Sequence, residues 1–156
     1  MKMQLHELDL QIIALLRRWF LPLARFAIFV VYFWFGILKL LDLSPATPLA
    51  SALTEKTIGL SHFDTAFAVL AVFECVIGIL FLFPQLTRVV IPMLVVHLAV
   101  VCSPLLLVPH EAWTKFLVPT LEGQYIIKNL VLAALAIGIA AQTTPLAHKK
   151  AGGHGA

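Results

Sequence analysis

Four long runs of apolar residues dominate the chain, and shorter stretches of polar residues, glycine and proline separate them. Each run is close to the roughly 20 residues that a helix needs to cross the hydrocarbon core of a bilayer. Several ends of the runs coincide with prolines, which cannot continue the hydrogen bonding of a helix. The pattern predicts four transmembrane helices, at about residues 22–41, 63–83, 89–108 and 124–142.

A shorter periodic segment precedes the first run. Leu8, Ile12 and Leu15 recur at steps of three and four residues, while charged residues fall mainly between them. This spacing predicts a short amphipathic helix at about residues 4–19 that lies in the membrane interface. The alternative is one continuous first helix, in which Pro22 produces only a kink.

The composition favours a membrane protein over a soluble one. Of the 156 residues, 61% are hydrophobic and 12% are charged, whereas about 25% are charged in ordinary soluble domains. Four spans leave no room for a soluble module, so we predict a single all-α membrane domain. It is a four-transmembrane-helix bundle, preceded by the interfacial helix and followed by a tail at residues 143–156. We expect no nucleic-acid partner, because the net charge of +3 comes from basic residues that flank the spans.

The basic residues also predict an orientation, because they favour the cytoplasmic flanks of transmembrane helices. One side of the predicted bundle carries most of them: Lys2, Arg17, Arg18, Arg25, Arg88, Lys149 and Lys150. Both termini of this multi-pass protein are therefore expected in the cytoplasm. The small residues of SPATPLASA, after the first run, also fit a signal-peptide cleavage site, but the long basic lead favours a retained helix.

One carboxylate interrupts the second apolar run. Glu74 lies in an otherwise uncharged stretch of residues 65–87, where a charge costs roughly 3 kcal/mol on insertion scales. Ala71 and Gly78 share its helical face, and small residues let neighbouring helices approach closely in lipid. We therefore predict that Glu74 points into the bundle.

Polar residues of the other spans are expected to meet Glu74. At about 1.5 Å per residue, Tyr32, Glu74 and His97 share the middle of the membrane, and Lys39 and Lys128 lie nearer the outer side. We predict a polar shaft in the outer half of the bundle and assign no catalytic residue. The candidate cofactor-binding residues are Tyr32, Lys39, Glu74, His97, Tyr125, Lys128 and Asn129.

A purely structural role for the same residues is the alternative. Glu74 pairs with Lys128 or Lys39 in this interpretation, and the pair only fixes the register of the helices. For Lys39, an ammonium group that reaches outward to the lipid headgroups is the favoured expectation. His97, alone on an apolar helix, would then be a hydrogen-bonded core residue.

The cysteines and histidines limit the cofactors. Cys75 and Cys102 lie within spans without a C-x-x-C motif, which favours packing residues over a dithiol relay; a bridge between them is the alternative. His97 is the only histidine within the membrane core, and a transmembrane bis-histidine haem site needs two. We predict neither haem nor a metal site, since His62, His110 and Glu111 have no close ligand spacing.

Three segments resemble a known family. FGILKLLDLSP, FECVIGILFLFPQLTR and EGQYIIKNLVLAALAIGI are similar to motifs of the DoxX-like family of small four-helix membrane proteins. That family includes the small membrane subunit of thiosulfate:quinone oxidoreductase and members associated with oxidative-stress responses. The resemblance implies a four-helix bundle in the bacterial inner membrane. It also implies functional residues at Glu74, Thr87, Arg88 and Lys128, whereas the long loop after LDLSP and the histidine-containing tail depart from the shortest members.

The resemblance and the polar shaft predict a redox-linked membrane subunit that interacts with a quinone. A quinone needs an apolar pocket with a few hydrogen-bond donors and a group that exchanges protons. The alternative is a non-catalytic membrane anchor or assembly subunit, because no cofactor-binding motif is present. A third hypothesis is a pathway for protons or small solutes, but the small number of helices weakens it. The expected partners are the lipid bilayer and either another protein or a second copy of this chain.

Overall fold

The computed structural model describes the backbone of residues 2–143 and the side chains of residues 6–143, and it is mostly helical. Nearly all of the predicted tail lies outside these residues. The helices are α1 (Lys2–Leu40), α2 (Thr47–Thr57), α3 (Phe63–Phe81), α4 (Thr87–Cys102), α5 (Pro104–Leu107), α6 (Pro109–Ala112) and α7 (Leu121–Ala141). A two-stranded antiparallel hairpin, β1 (Trp113–Lys115) and β2 (Val118–Pro119), precedes α7.

Four stretches of helix are long and apolar enough to cross a membrane. They correspond to α1, α3, α4 continued by α5, and α7, and they lie close to the four predicted spans. The structure is therefore compatible with the predicted all-α membrane protein. In each of these helices only 17% to 28% of the most apolar window is buried inside the bundle, so most of the apolar surface faces outward.

The separate interfacial helix was a wrong prediction, because α1 runs without a break from Lys2 to Leu40. Pro22 lies inside α1 and removes one backbone donor, but its neighbours are good helix formers and the helix continues. At 1.5 Å per residue, the 39 residues of α1 extend about 58 Å, roughly twice the thickness of a hydrocarbon core. All side chains of residues 6–20 are exposed, so this half of α1 extends beyond the bundle.

The two ends of the bundle differ in construction. At one end, here called the turn end, residues 82–86 join α3 to α4 through a 3-10 turn, Pro84–Leu86. The other end, here called the loop end, carries α2 and the segment of α5, α6 and the hairpin. The short turn reverses the direction of the chain, so α3 and α4 run antiparallel.

Two glycines bring α1 and α3 into close contact. A Cβ atom on Gly36 would lie 2.6 Å from Cys75 Sγ and 2.8 Å from the carbonyl oxygen of Ala71. A Cβ atom on Gly78 would lie 2.9 Å from the backbone nitrogen of Phe33. The absence of side chains at these positions lets the two backbones approach, as in other membrane helix pairs.

The turn-end half of the bundle contains a continuous apolar core to which all four spans contribute. Its most buried members are Ile28, Ile77, Phe81, Val90, Leu94 and Ile139. Close packing of such residues fixes the helices relative to one another. The polar residues of the spans are thereby restricted to the edges of this core and to the loop-end half.

We predict that Gly78→Ala destabilises the protein, because the new methyl group would meet backbone atoms of α1 that cannot rotate away. Overpacking of this kind typically costs about 1–3 kcal/mol. Gly138→Ala is the matched control, since its Cβ would lie 3.6 Å from Phe20 Cζ, an ordinary contact. It should be neutral, or stabilising by up to about 1 kcal/mol from helix propensity. Thermal unfolding in detergent measures the stability of both variants. Equal changes in Gly78→Ala and Gly138→Ala would contradict close packing at Gly78.

Candidate functional site

Four buried polar side chains form a hydrogen-bonded line across the middle of the bundle. Lys39 Nζ lies 2.7 Å from Glu74 Oε2, and His97 Nε2 lies 2.9 Å from Glu74 Oε1. The other ring nitrogen of His97, Nδ1, lies 3.1 Å from the Tyr32 hydroxyl. These four residues, here called the Glu74 network, connect α1, α3 and α4.

The network lies deep within the spans. Glu74 follows Phe63, the first residue of α3, by about 16 Å of helix, and His97 follows Thr87, the first residue of α4, by about 15 Å. Relative exposure is 9% for Lys39 and 3–5% for the other three members. The prediction that Tyr32, Glu74 and His97 converge at one depth is confirmed.

The geometry assigns the hydrogen atoms of the network when Glu74 is ionised. A carboxylate only accepts hydrogen bonds, so Nζ of Lys39 and Nε2 of His97 both donate to Glu74. A neutral His97 with its proton on Nε2 accepts at Nδ1, and the Tyr32 hydroxyl then donates to it. The network therefore has a definite direction of donation, from Tyr32 through His97 to Glu74.

The charges of the network balance in this state. Lys39 is a cation, Glu74 an anion and His97 neutral, so no net charge is buried. Among the described residues, no fully enclosed side-chain nitrogen or oxygen lacks a hydrogen-bond partner. Pairing and complete hydrogen bonding are the conditions under which charges are tolerated in a low-dielectric interior.

Lys39 corrects one prediction from the sequence, because its ammonium group turns into the bundle instead of reaching outward. Side chains of an α-helix tilt toward the N-terminus of the helix. Since α1 ends at the loop end, this tilt directs Lys39 back toward mid-span, where Glu74 is within reach. The direction of the helix was the signal that could have identified the pair.

Lys128, by contrast, does not join Glu74. It lies on the exposed surface of α7, with Nζ 4.9 Å from the centre of the Tyr125 ring. Because α7 begins at the loop end, the same tilt directs Lys128 away from the middle of the span. Tyr125 is 61% exposed and Asn129 is half-buried, so the fourth span contributes none of the residues predicted to join the site.

A second buried polar contact lies at the turn end and involves Arg25. Its guanidinium group donates to the carbonyl oxygen of Phe81 at 3.2 Å and to Thr87 Oγ1 at 2.7 Å. Thr87 in turn donates to the carbonyl oxygen of Pro84 at 2.7 Å. The sequence indicated Arg25 as a flanking charge that shares a helical face with Tyr32 and Lys39, seven residues apart in each step, but it did not indicate these acceptors.

The remaining candidate groups form no hydrogen bond with the Glu74 network. Cys75 and Cys102 are both free, and Cys75 is buried, in agreement with packing roles. Within residues 6–143, no three His, Cys, Asp or Glu side chains are grouped so that they could hold a metal ion. A shallow cleft of about 620 Å³ lies between α2 and residues 107–111 at the loop end, and no member of the network lines it.

We predict that Lys39→Met destabilises the bundle, because it leaves the Glu74 carboxylate buried without a cation. Removal of one partner of a buried pair typically costs about 3–5 kcal/mol. The double variant Lys39→Met/Glu74→Gln removes both charges and keeps an acceptor for His97. It should therefore be more stable than Lys39→Met by at least about 1 kcal/mol. Denaturant unfolding of the purified protein measures these differences.

Lys128→Met is the matched control, since it removes an exposed lysine of another span. It should change stability by less than about 0.5 kcal/mol. Equal losses for Lys39→Met and Lys128→Met would contradict the assignment of Lys39 as the partner of Glu74.

Comparison of the chain with protein-family models, with curated proteins and with solved structures finds no match. The resemblance to the DoxX-like family therefore stays a prediction from three short sequence segments.

Proposed function

We propose that this protein is the integral membrane subunit of a redox-linked complex, in which the Glu74 network exchanges protons with a quinone. The observation that carries the proposal is the unbroken line of hydrogen bonds from Tyr32 through His97 and Glu74 to Lys39. All four side chains are titratable, and all four lie within the spans. The resemblance to the DoxX-like family supports the same class of function.

Quinone chemistry needs such a line because it takes place where water is scarce. Reduction of a quinone to a quinol consumes two electrons and two protons. The electrons would come from a redox partner in the complex, and the protons need groups positioned to transfer them. His97 suits this role, because an imidazole can accept a proton at one ring nitrogen and release the proton on the other, and its Nδ1 and Nε2 already face Tyr32 and Glu74.

Lys39 is the member of the network that best suits contact with a ligand. An ammonium group has three N–H donors, and the only acceptor for Lys39 among the described residues is Glu74. Its residual exposure of 9% is the largest in the network. A quinone carbonyl is an acceptor, so a spare donor of Lys39 could bind it while Glu74 holds the ammonium group in place.

The outer surfaces of the spans suit an apolar ligand or partner. A shallow groove of about 380 Å³ runs along the outer surface of α3 and is lined by Ala68, Val69, Val72, Phe73 and Val76. The exposed faces of the other spans are equally rich in aliphatic and aromatic side chains. Isoprenoid tails and partner helices both bury such surfaces favourably.

The proposal predicts that Lys39→Met/Glu74→Gln weakens quinone binding by about tenfold or more, the usual cost of losing a hydrogen bond to a charged group. The probes are a short-chain benzoquinone and a short-chain naphthoquinone, added to the purified protein in lipid nanodiscs. Binding is measured by quenching of tryptophan fluorescence. Lys128→Met, which removes an exposed lysine, should stay within about twofold of the unaltered protein.

Turnover provides a second readout of the same proposal. Tyr32→Phe removes only the hydroxyl at one end of the network and should lower quinone-dependent turnover in membranes by about 100-fold or more, as loss of a positioned proton donor does. Tyr125→Phe is the matched control on the exposed face of α7 and should leave turnover unchanged. The proposal fails if both variants of the Glu74 network bind and reduce quinone as the unaltered protein does.

A non-catalytic membrane anchor is the second candidate, and one observation favours it: both carboxylate oxygens of Glu74 are engaged by protein donors. A closed pair of this kind fixes the register of α1 against α3 without any ligand. The anchor hypothesis predicts that a redox partner co-purifies equally with the unaltered protein and with Lys39→Met/Glu74→Gln, while neither binds the quinone probes. Loss of quinone binding only in the variant would exclude it.

A further inference from the structure

Arg25 is a buried cation at the turn end for which the described residues provide no carboxylate. Its side chain is 9% exposed, and its two acceptors, the Phe81 carbonyl and Thr87 Oγ1, are both uncharged. Arg25 belongs to neither of the ion pairs of the Glu74 network. Within the described residues, dipoles stabilise the charge of Arg25, chiefly that of the C-terminal end of α3.

The guanidinium group of Arg25 also has donors to spare. It carries five N–H groups, and the described residues accept hydrogen bonds from two of them. Among the described residues, Nε has no acceptor, and no fully enclosed side-chain nitrogen or oxygen lacks a partner. Nε therefore keeps some exposure at the surface of the bundle, and it is the donor that we expect to meet a ligand.

The surroundings of Arg25 are uniformly basic. Arg17 and Arg18 precede it on α1, toward the same end of the bundle. The nearest carboxylate along α1 is Asp9, about 24 Å away by helical rise. Glu74 lies about two helical turns above Phe81, and Lys39 already neutralises it. An anion that approaches this end is therefore attracted by the arginines of α1, and the nearest carboxylates are too distant or already paired to repel it strongly.

We propose that Arg25 binds the phosphate of an anionic phospholipid at the turn end of the bundle. Arg25 contacts the last residue of α3, so its guanidinium group lies where the spans end and the headgroup region begins. The planar arrangement of N–H donors suits two phosphate oxygens at once. Basic residues between transmembrane helices at the membrane surface are known to bind the headgroups of anionic lipids.

The apolar surface beside Arg25 favours a lipid over free phosphate. Leu23 is 64% exposed and Phe26 is 54% exposed, on the same turn of α1 as Arg25. Acyl chains attached to the bound phosphate would cover these side chains, and burial of apolar surface would add to the affinity. Inorganic phosphate gains nothing from them.

The test compares lipid retention by the intact protein and by two variants that each remove one arginine of α1. The protein is purified in mild detergent, supplied with phosphatidylglycerol or phosphatidylcholine, and examined by native mass spectrometry. The unaltered protein should retain phosphatidylglycerol in preference to phosphatidylcholine. Arg25→Gln should lower that retention by at least about fivefold, because it removes charge-assisted hydrogen bonds to the phosphate, whereas Arg17→Gln, the exposed control that makes no such bond, should change it less.

A further variant covers the case in which Arg25→Gln fails to fold, since Arg25 also ties α1 to the turn. Arg25→Lys keeps the charge and a donor for the Phe81 carbonyl but loses the planar pair of donors, so it should fold and still retain less phosphatidylglycerol than the unaltered protein. The proposal would be overturned if Arg25→Gln retained as much phosphatidylglycerol as the unaltered protein. If Arg25→Gln does not fold, the same result with Arg25→Lys would overturn it. So would thermal stabilisation of the unaltered protein by inorganic phosphate to the extent that phosphatidylglycerol gives.

Discussion

A carboxylate within an apolar bundle must have a cation and a full set of hydrogen bonds, and this requirement at Glu74 organises the middle of the protein. Lys39 provides the charge and one bond, and His97 provides the other. Since the three residues come from three different spans, satisfying Glu74 fixes the depth of α1, α3 and α4 relative to one another. Tyr32 extends the arrangement back to α1, where it packs edge-on against the His97 ring.

Helix α1 makes these contacts through one repeated spacing. Arg25, Tyr32 and Lys39 follow one another at intervals of seven residues, two turns of helix, so all three face the pair formed by α3 and α4. Arg25 and Lys39, the first and last of the three, stabilise different groups. Lys39 neutralises a buried anion, whereas Arg25 lies at the end of α3, where carbonyl groups lack helical partners and a cation is favourable. One face of α1 thus contacts the α3–α4 pair both at mid-span and at the turn end.

Close approach of the helices makes these short polar contacts possible. Gly36 and Gly78 remove side chains from the surface between α1 and α3, and Gly36 lies against the residues adjacent to Glu74. With larger residues there, the backbones would move apart and Lys39 would no longer reach its partner. The packing of the α1–α3 pair and the chemistry of the Glu74 network therefore depend on each other, and the same pair leaves the outward faces of the spans to lipid or to a partner.

The sequence by itself determined the four apolar spans and the inward direction of Glu74, because each follows from the pattern of residues along one helix. It also placed Tyr32 and His97 at the depth of Glu74, since depth is a count of residues. Tertiary structure alone decided which lysine is the partner, whether Pro22 ends α1, and what Arg25 contacts. Those outcomes depend on how helices of opposite direction pack side by side: the same tilt of side chains that turns Lys39 inward on α1 turns Lys128 outward on α7.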